Sequence, residues 1–195
     1  MYKLCKTEQS ARRQREIVDC LFEIMRTKNY DDITITELCD RMKMPRKAFY
    51  RYFDSKEDTL AAMIDFYLAE YEGFSVDRSK ETRRKLVGEL EEYFIFWKDR
   101  RELLAVLDRS ALLGVLTQRI VNYPLQDRIA TARFLPDETD KAREMIFKFA
   151  LSGLMNTMIY WYKNGFNVST REMAETACRM LREPLFPNLN KLGIE

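Results

Sequence analysis

Six of the sixteen residues from Arg41 to Lys56 are basic, Arg41, Lys43, Arg46, Lys47, Arg51 and Lys56, and they face a single acid, Asp54. Tyr50 and Tyr52 sit among them. Side chains of these types suit a polyanion. They neutralise phosphates, donate hydrogen bonds to phosphate oxygens and, in the case of Arg and Lys, read the O6 and N7 edge of guanine. A charge run of this kind also occurs on ordinary solvated faces, so the elements that carry it decide what it means.

Other chemistry has little to work with. Histidine is absent, which removes the commonest metal ligand and the commonest general base near neutral pH. The four cysteines, Cys5, Cys20, Cys39 and Cys178, form no CxxC pair, and they read as reduced, mostly packed thiols of a cytoplasmic protein. No GxSxG elbow, Gly-rich phosphate loop or Cys/His couple is present, so an α-helical enzyme has little support and neither cofactor nor metal is expected. The N-terminal stretch has no apolar core and is not a signal peptide. The charge-free segment 149–162 is too short and too polar to span a bilayer.

The net charge of +2 over 195 residues hides an asymmetry: through Lys56 there are 13 basic and 9 acidic residues, a balance of +4, and the remainder carries −2. Only 6 Gly and 5 Pro accompany 46% hydrophobic and 33% charged residues, a composition that points to helices and away from turn-rich sandwiches or disorder. The length suits one domain or two small ones.

The basic run is carried on short helices. Ile17, Cys20, Leu21, Ile24 and Met25 have helical spacing, which predicts a first helix over about 10–28. Thr34-Ile35-Thr36-Glu37 is a capping box that starts a second helix near Ile35, with Ile35, Leu38, Cys39 and Met42 on its buried face. A Lys43-Met44-Pro45 break then leads into a third helix over Arg46–Phe53, anchored by Phe49 and Phe53. Two short helices joined by a three-residue turn, the second basic at its start, make a helix-turn-helix. Arg46 and Lys47 lead that helix, where side chains face base edges. Tyr50, Tyr52 and Lys56 are placed to contact phosphates. Tyr52 has a second reading as partly core, and Arg51 as the partner of a neighbouring acid.

The stretch from about Ser10 to Phe66 resembles the DNA-binding domain of TetR-family transcriptional regulators. The resemblance is clearest in Thr34-Ile35-Thr36-Glu37-Leu38-Cys39 and in Ala48-Phe49-Tyr50-Arg51-Tyr52-Phe53-Asp54-Ser55-Lys56-Glu57-Asp58. It implies base reading by Arg46, Lys47 and Ala48 at the start of the recognition helix. It also implies phosphate contacts from Thr34 or Thr36, Tyr50, Tyr52 and Lys56, and Arg51 completes the set of DNA-binding residues. Lys43 stands where the family usually has Gly, and Pro45 where it usually has Ser. A left-handed Lys43 carries a strain of roughly 1–2 kcal/mol, whereas Pro45 at the first helical turn loses nothing through its missing N–H.

Beyond this head the pattern stays helical. A helix capped by Ser55 runs to about Phe74 and is followed by a polar break over 75–80. Leu86, Leu90, Tyr93, Phe94 and Trp97 mark another, and the apolar positions from Leu103 to Leu116 mark one or two more. Pro124 breaks or kinks this region and Pro136 ends it. Two further helices are predicted at about 138–164, stopped by Asn164-Gly165, and at about 170–182, opened by the box Ser169-Thr170-Arg171-Glu172. The tail from Leu185 reads as irregular. The fold class is therefore all-α, with an N-terminal head at 8–70, its helix-turn-helix at about 33–53, and a helical body at 71–195.

The resemblance implies that the last two helices form a homodimer interface, here Phe149, Gly153 and Thr157 with Met173, Ala177 and Met180. The same stripe also suits the core of one chain. It further implies a small-molecule effector in the body. Tyr67, Tyr71, Tyr93, Phe94, Trp97 and Trp161 with Asn122 and Asn156 have a composition that fits a pocket for an apolar or amphipathic compound, and equally a plain core. The resulting expectation is a dimeric repressor released from a palindromic DNA operator by that effector. The alternative is a DNA-binding activator or co-regulator controlled by a protein partner.

Overall fold

The computed structural model describes residues 2, 3, 5, 7–79, 86–123 and 137–182. The sequence expectations for Pro124, Pro136 and the tail from Leu185 fall outside these residues. Among the described residues the chain is all-helical, with nine α-helices, one 3-10 turn and no strand. They are α1 (Glu8–Met25), the 3-10 turn Tyr30–Asp32, α2 (Ile35–Arg41), α3 (Arg46–Phe49), α4 (Lys56–Ser79), α5 (Leu86–Asp99), α6 (Arg101–Arg109), α7 (Leu113–Val121), α8 (Asp140–Lys163) and α9 (Thr170–Arg182). None is long and apolar enough to cross a membrane.

The chain divides into two compact units, residues 1–73 with 102–123, and residues 74–101 with 124–195. The first unit thus takes in α6 and α7, which the sequence pattern groups with the body. Its core is built by Ile17, Leu21, Ile24 and Met25 of α1, Leu38 and Cys39 of α2, Phe49 and Phe53, and Met63 and Ile64 of α4. Polar bonds tie α6 and Ser110 to the end of α1 and the 3-10 turn. The Arg109 guanidinium donates to the Met25 carbonyl, Arg26 pairs with Glu102, and the Tyr30 amide donates to Ser110 Oγ at 3.1 Å.

The second unit packs α5 against α9 and α8. Tyr93, Phe94 and Trp97 of α5 are buried with Met155, Met158 and Trp161 of α8 and Met173, Ala174, Ala177 and Cys178 of α9. Phe94 and Trp161 meet edge to face at 5.7 Å, and the Tyr93 hydroxyl donates to Met155 Sδ at 3.0 Å. Gly165, at φ 68°, closes α8 in the left-handed conformation that a helix C-terminus favours.

Several boundaries differ from the sequence expectation. α1 begins earlier, at Glu8, because Thr7 and Ser10 form a reciprocal capping box, and it ends at Met25. α4 continues through Gly73 and the polar segment to Ser79, since neither an isolated Gly nor local polarity by itself stops a helix. Glu172 donates its amide to Ser169 Oγ as the second capping box requires. In the first box Thr34 Oγ1 accepts the Glu37 amide at 3.1 Å, but the Glu37 carboxylate turns to Lys28 at 2.7 Å instead of reaching back. That ion pair holds the Glu37 carboxyl below the usual range.

Candidate nucleic-acid interface

The turn between α2 and α3 is set by Lys43, whose φ is 51°. Its amide donates to Asp40 and that of Met44 to Cys39 at 2.9 Å, so the chain reverses within three residues. A non-Gly residue is strained here, as the departure from Gly predicts. Pro45 has φ −63° and ψ 142°, which makes it the residue before the helix and not part of its first turn. Its ring still presets the entry, and no side-chain cap is formed.

α3 is shorter than the sequence spacing predicts. Regular helix covers only Arg46–Phe49, and the chain then passes through turns to Phe53. The reason lies in the hydrogen bonds, which alternate between i−3 partners, as in Tyr52 to Phe49 at 2.9 Å, and i−4 partners, as in Phe53 to Phe49 at 3.2 Å. Phe49 and Phe53 remain buried with ring centroids 5.7 Å apart, so the anchoring pair is as expected.

Outward from this anchor stand the basic side chains. Arg46, Lys47, Tyr50 and Arg51 are exposed, as are Thr34 and Thr36, while Ala48 and Tyr52 are half-buried. Arg46 Nη2 donates to the Tyr50 hydroxyl at 3.2 Å, which holds the guanidinium at the head of α3 and leaves the Tyr50 O–H free to donate outward. Thr34 is in the same condition, since its oxygen accepts the Glu37 amide and its own proton stays available. Among the described residues neither Lys47 nor Arg51 has an ion-pair partner, so the reading of Arg51 as one half of a local pair does not hold.

Lys56 behaves differently from the implied phosphate contact. Its ammonium donates to the carbonyls of Tyr30 at 2.7 Å, Ile33 at 2.9 Å and Asp31 at 3.3 Å, and lies 4.2 Å from the Tyr30 ring centre. All three N–H groups are engaged. Lys56 therefore ties the start of α4 to the loop ahead of α2, and a phosphate would have to displace one of those carbonyls.

The residues from Ile17 to Met63, which hold the whole of this helix-turn-helix, match the family model for bacterial regulatory proteins of the tetR family. Over that segment, about a quarter of its length, the chain carries a tetR-type DNA-binding domain. Among curated relatives, the nucleoid occlusion factor SlmA of Shewanella sp. strain MR-4 is 29% identical over 122 residues, 61% of this chain. The match spans 59% of that protein's length. Solved TetR-like structures share the fold. The fatty acid degradation regulator FadR of Bacillus halodurans superposes with a TM-score of 0.58 at 11% identity, covering 93% of this chain and 98% of its own. A TetR-family regulator of Bordetella parapertussis superposes at 0.54 and 16%, covering 89% and 95%.

The residues assigned to an effector pocket are shared between the two units. Tyr67, Tyr71 and Asn122 belong to the first unit, and Tyr93, Phe94, Trp97, Asn156 and Trp161 to the second. Tyr93, Phe94, Trp97 and Trp161 pack on one another, and the Trp161 indole donates to the Val168 carbonyl at 3.1 Å. The two asparagines are exposed and donate to their own helices, Asn122 to Gln118 and Asn156 to Ser152.

The assigned dimer residues also separate. Phe149 is 72% exposed, with Gly153 exposed and Thr157 half-buried on α8, and Met180 is exposed on α9. Met173 and Ala177 are corrected to core positions: they lie on the face of α9 that packs against α5, and both are buried. The sequence stripe mixed two faces of one amphipathic helix, because a three- to four-residue spacing alone does not say what covers it.

Sequence reasoning passed over four residues that bond to one another or to the turn after α3, namely Tyr2, Lys3, Asp65 and Arg119. Asp65 had a visible signal. It is an acid flanked by Ala62, Met63, Ile64 and Leu68 on the apolar side of α4, and it is only 7% exposed.

Proposed function

We propose that the protein is a homodimeric, sequence-specific repressor that binds a palindromic operator and is released by a small organic effector, with no catalytic activity of its own. Arg46 and Lys47 read base edges in the major groove, and Thr34, Thr36, Tyr50, Arg51 and Tyr52 set the register on phosphates. The observation that carries this reading is the left-handed turn at Lys43, which delivers an exposed Arg46-Lys47 pair at the head of a one-turn helix.

Dimerisation is supported by the exposed face of α8, where Met145, Phe149, Gly153 and Tyr160 have helical spacing. A Cβ added at Gly153 would meet nothing within 4 Å, so a second helix can approach closely there. Two recognition helices about 34 Å apart reach successive major grooves, which is why the operator should be palindromic. Control by a protein partner instead of an organic ligand is the second reading. Within the second unit, the packing of the aromatic cluster on itself and the exposure of Asn156 favour it.

Selection of bound duplexes from a random pool tests the main reading. A palindromic consensus with half-sites one helical turn apart is the expected result. Recovery of unrelated sequences, or binding indifferent to salt, would overturn it.

A further inference from the structure

α3 is a single helical turn, too short to hold itself, because helix nucleation is unfavourable and the carbonyls of the last turn have no intrahelical partner. Lys3 ties down the turn that continues α3, through the carbonyls of Tyr50 and Tyr52. Lys3 Nζ donates to the Tyr50 carbonyl at 2.5 Å and pairs with Asp54 at 2.9 Å, while the Lys3 amide donates to the Tyr52 carbonyl at 3.1 Å. A cation at this end of a helix also complements its dipole.

This strap is itself anchored at two points. The buried Gln14 side chain of α1 donates to the Lys3 carbonyl at 2.8 Å. The Tyr2 ring lies 6.2 Å from that of Phe53, and its hydroxyl donates to Asp65 Oδ2 at 2.8 Å. Asp65 in turn accepts a two-pronged bond from Arg119 of α7, Nε to Oδ1 at 2.7 Å and Nη2 to Oδ2 at 2.5 Å. Burial and the bond to Asp65 raise the Tyr2 phenol above its ordinary value, so it stays a donor. Every member of the chain from Arg119 to the Tyr50 carbonyl belongs to the first compact unit.

We propose that Tyr2, Lys3 and the buried Asp65–Arg119 pair are positioning residues for operator binding, acting through the Tyr50 and Tyr52 carbonyls to hold the recognition helix in its reading pose. The proposal rests on the DNA-binding reading above. Lys3 holds the recognition turn from behind, so its contribution should differ in kind from that of Lys47 or Arg51, which have no such intramolecular duty.

The experiment measures affinity of the full-length chain for a duplex selected from a random pool, across a salt series, for the wild type and Tyr2→Phe, Lys3→Ala and Lys3→Arg. Tyr2→Phe removes one hydroxyl and leaves the ring on Phe53, so folding is spared. The expected result is a several-fold loss of affinity for Tyr2→Phe and for Lys3→Ala, with the slope of log K against log salt unchanged in both. Lys3→Arg should restore binding to within about two-fold of wild type, because the guanidinium can still donate to the Tyr50 carbonyl. Hydrogen exchange should show faster exchange over residues 50–53 in the two weakened variants. A slope reduced by about 0.9 per chain in Lys3→Ala would make Lys3 a phosphate contact and overturn the proposal. Unchanged affinity in both Tyr2→Phe and Lys3→Ala, in a wild type that binds its duplex, would overturn it as well. A wild type that selects no duplex fails the underlying DNA-binding reading instead, and exchange over residues 50–53 then decides the strap by itself: protection equal to wild type in both variants refutes it.

Discussion

On α3 and the turn behind it, the side chains left outside are Arg46, Lys47 and Arg51; along α8 they are Met145, Ile146, Phe149 and Tyr160. On the proposed reading both faces take a partner, for opposite physical reasons. Hydrated cations are at ease in water, and their gain on binding DNA comes from releasing the counterions that the phosphates had condensed. Exposed apolar side chains are not at ease, and their gain comes from leaving water. Salt should therefore separate the two faces. Operator affinity should fall steeply as salt rises, whereas self-association through α8 should hold or strengthen.

The largest break in this comparison is expected from Phe149→Asp, which places a charge in the middle of the α8 face. Sedimentation should show a monomer, and operator affinity should fall about 10²–10⁴-fold as the second half-site contact stops being intramolecular. Next comes Arg46→Ala, which should cost about 1–3 kcal/mol per half-site and relax preference at one base step without changing the oligomeric state. Lys43→Gly acts on the turn that presents the charged face. Relieving a φ of 51° at a non-Gly residue should stabilise the first unit by about 1 kcal/mol, readable as a higher thermal midpoint. Tyr50→Phe removes both a phenolic donor and the oxygen that accepts from Arg46, and should weaken duplex binding by less than about 1.5 kcal/mol, most of it at every sequence alike.

The smallest effect concerns pH. Glu37 has its carboxyl lowered by the Lys28 ammonium, so the stability it adds is present above its unfolded pKa of about 4.3 and is lost as pH falls through the lower folded value. Glu37→Gln should lower stability slightly near neutrality and leave it unchanged in strong acid, which flattens the acid limb of the stability curve in a series of denaturant titrations.

Much of the charged face is legible from the sequence. The capping role of Thr34 and the anchoring by Phe49 and Phe53 come from local rules, because caps and i, i+4 spacing involve residues a few positions apart, whereas the left-handed Lys43 is suggested only by the Gly that the resembled family usually has there. The apolar face is only half legible. Phe149 and Met173 look alike along the chain, both hydrophobic at helical spacing, yet one is 72% exposed and the other buried against α5. Lys56 is a parallel case: its position in the motif is plain, but the three carbonyls that occupy it come from residues 23–26 positions earlier.

By itself, then, the sequence determined an all-helical chain, a helix-turn-helix and the cations at its head, since these depend on composition and short-range spacing. Tertiary structure alone decided which unit α6 and α7 join, which side of α9 faces inward, and that residues 2 and 3 close the recognition helix from behind. The physical reason is that hydrogen bonds and burial between distant segments depend on where the chain returns in space. A Tyr2–Asp65–Arg119 bond network spanning more than a hundred positions leaves no periodic trace to read.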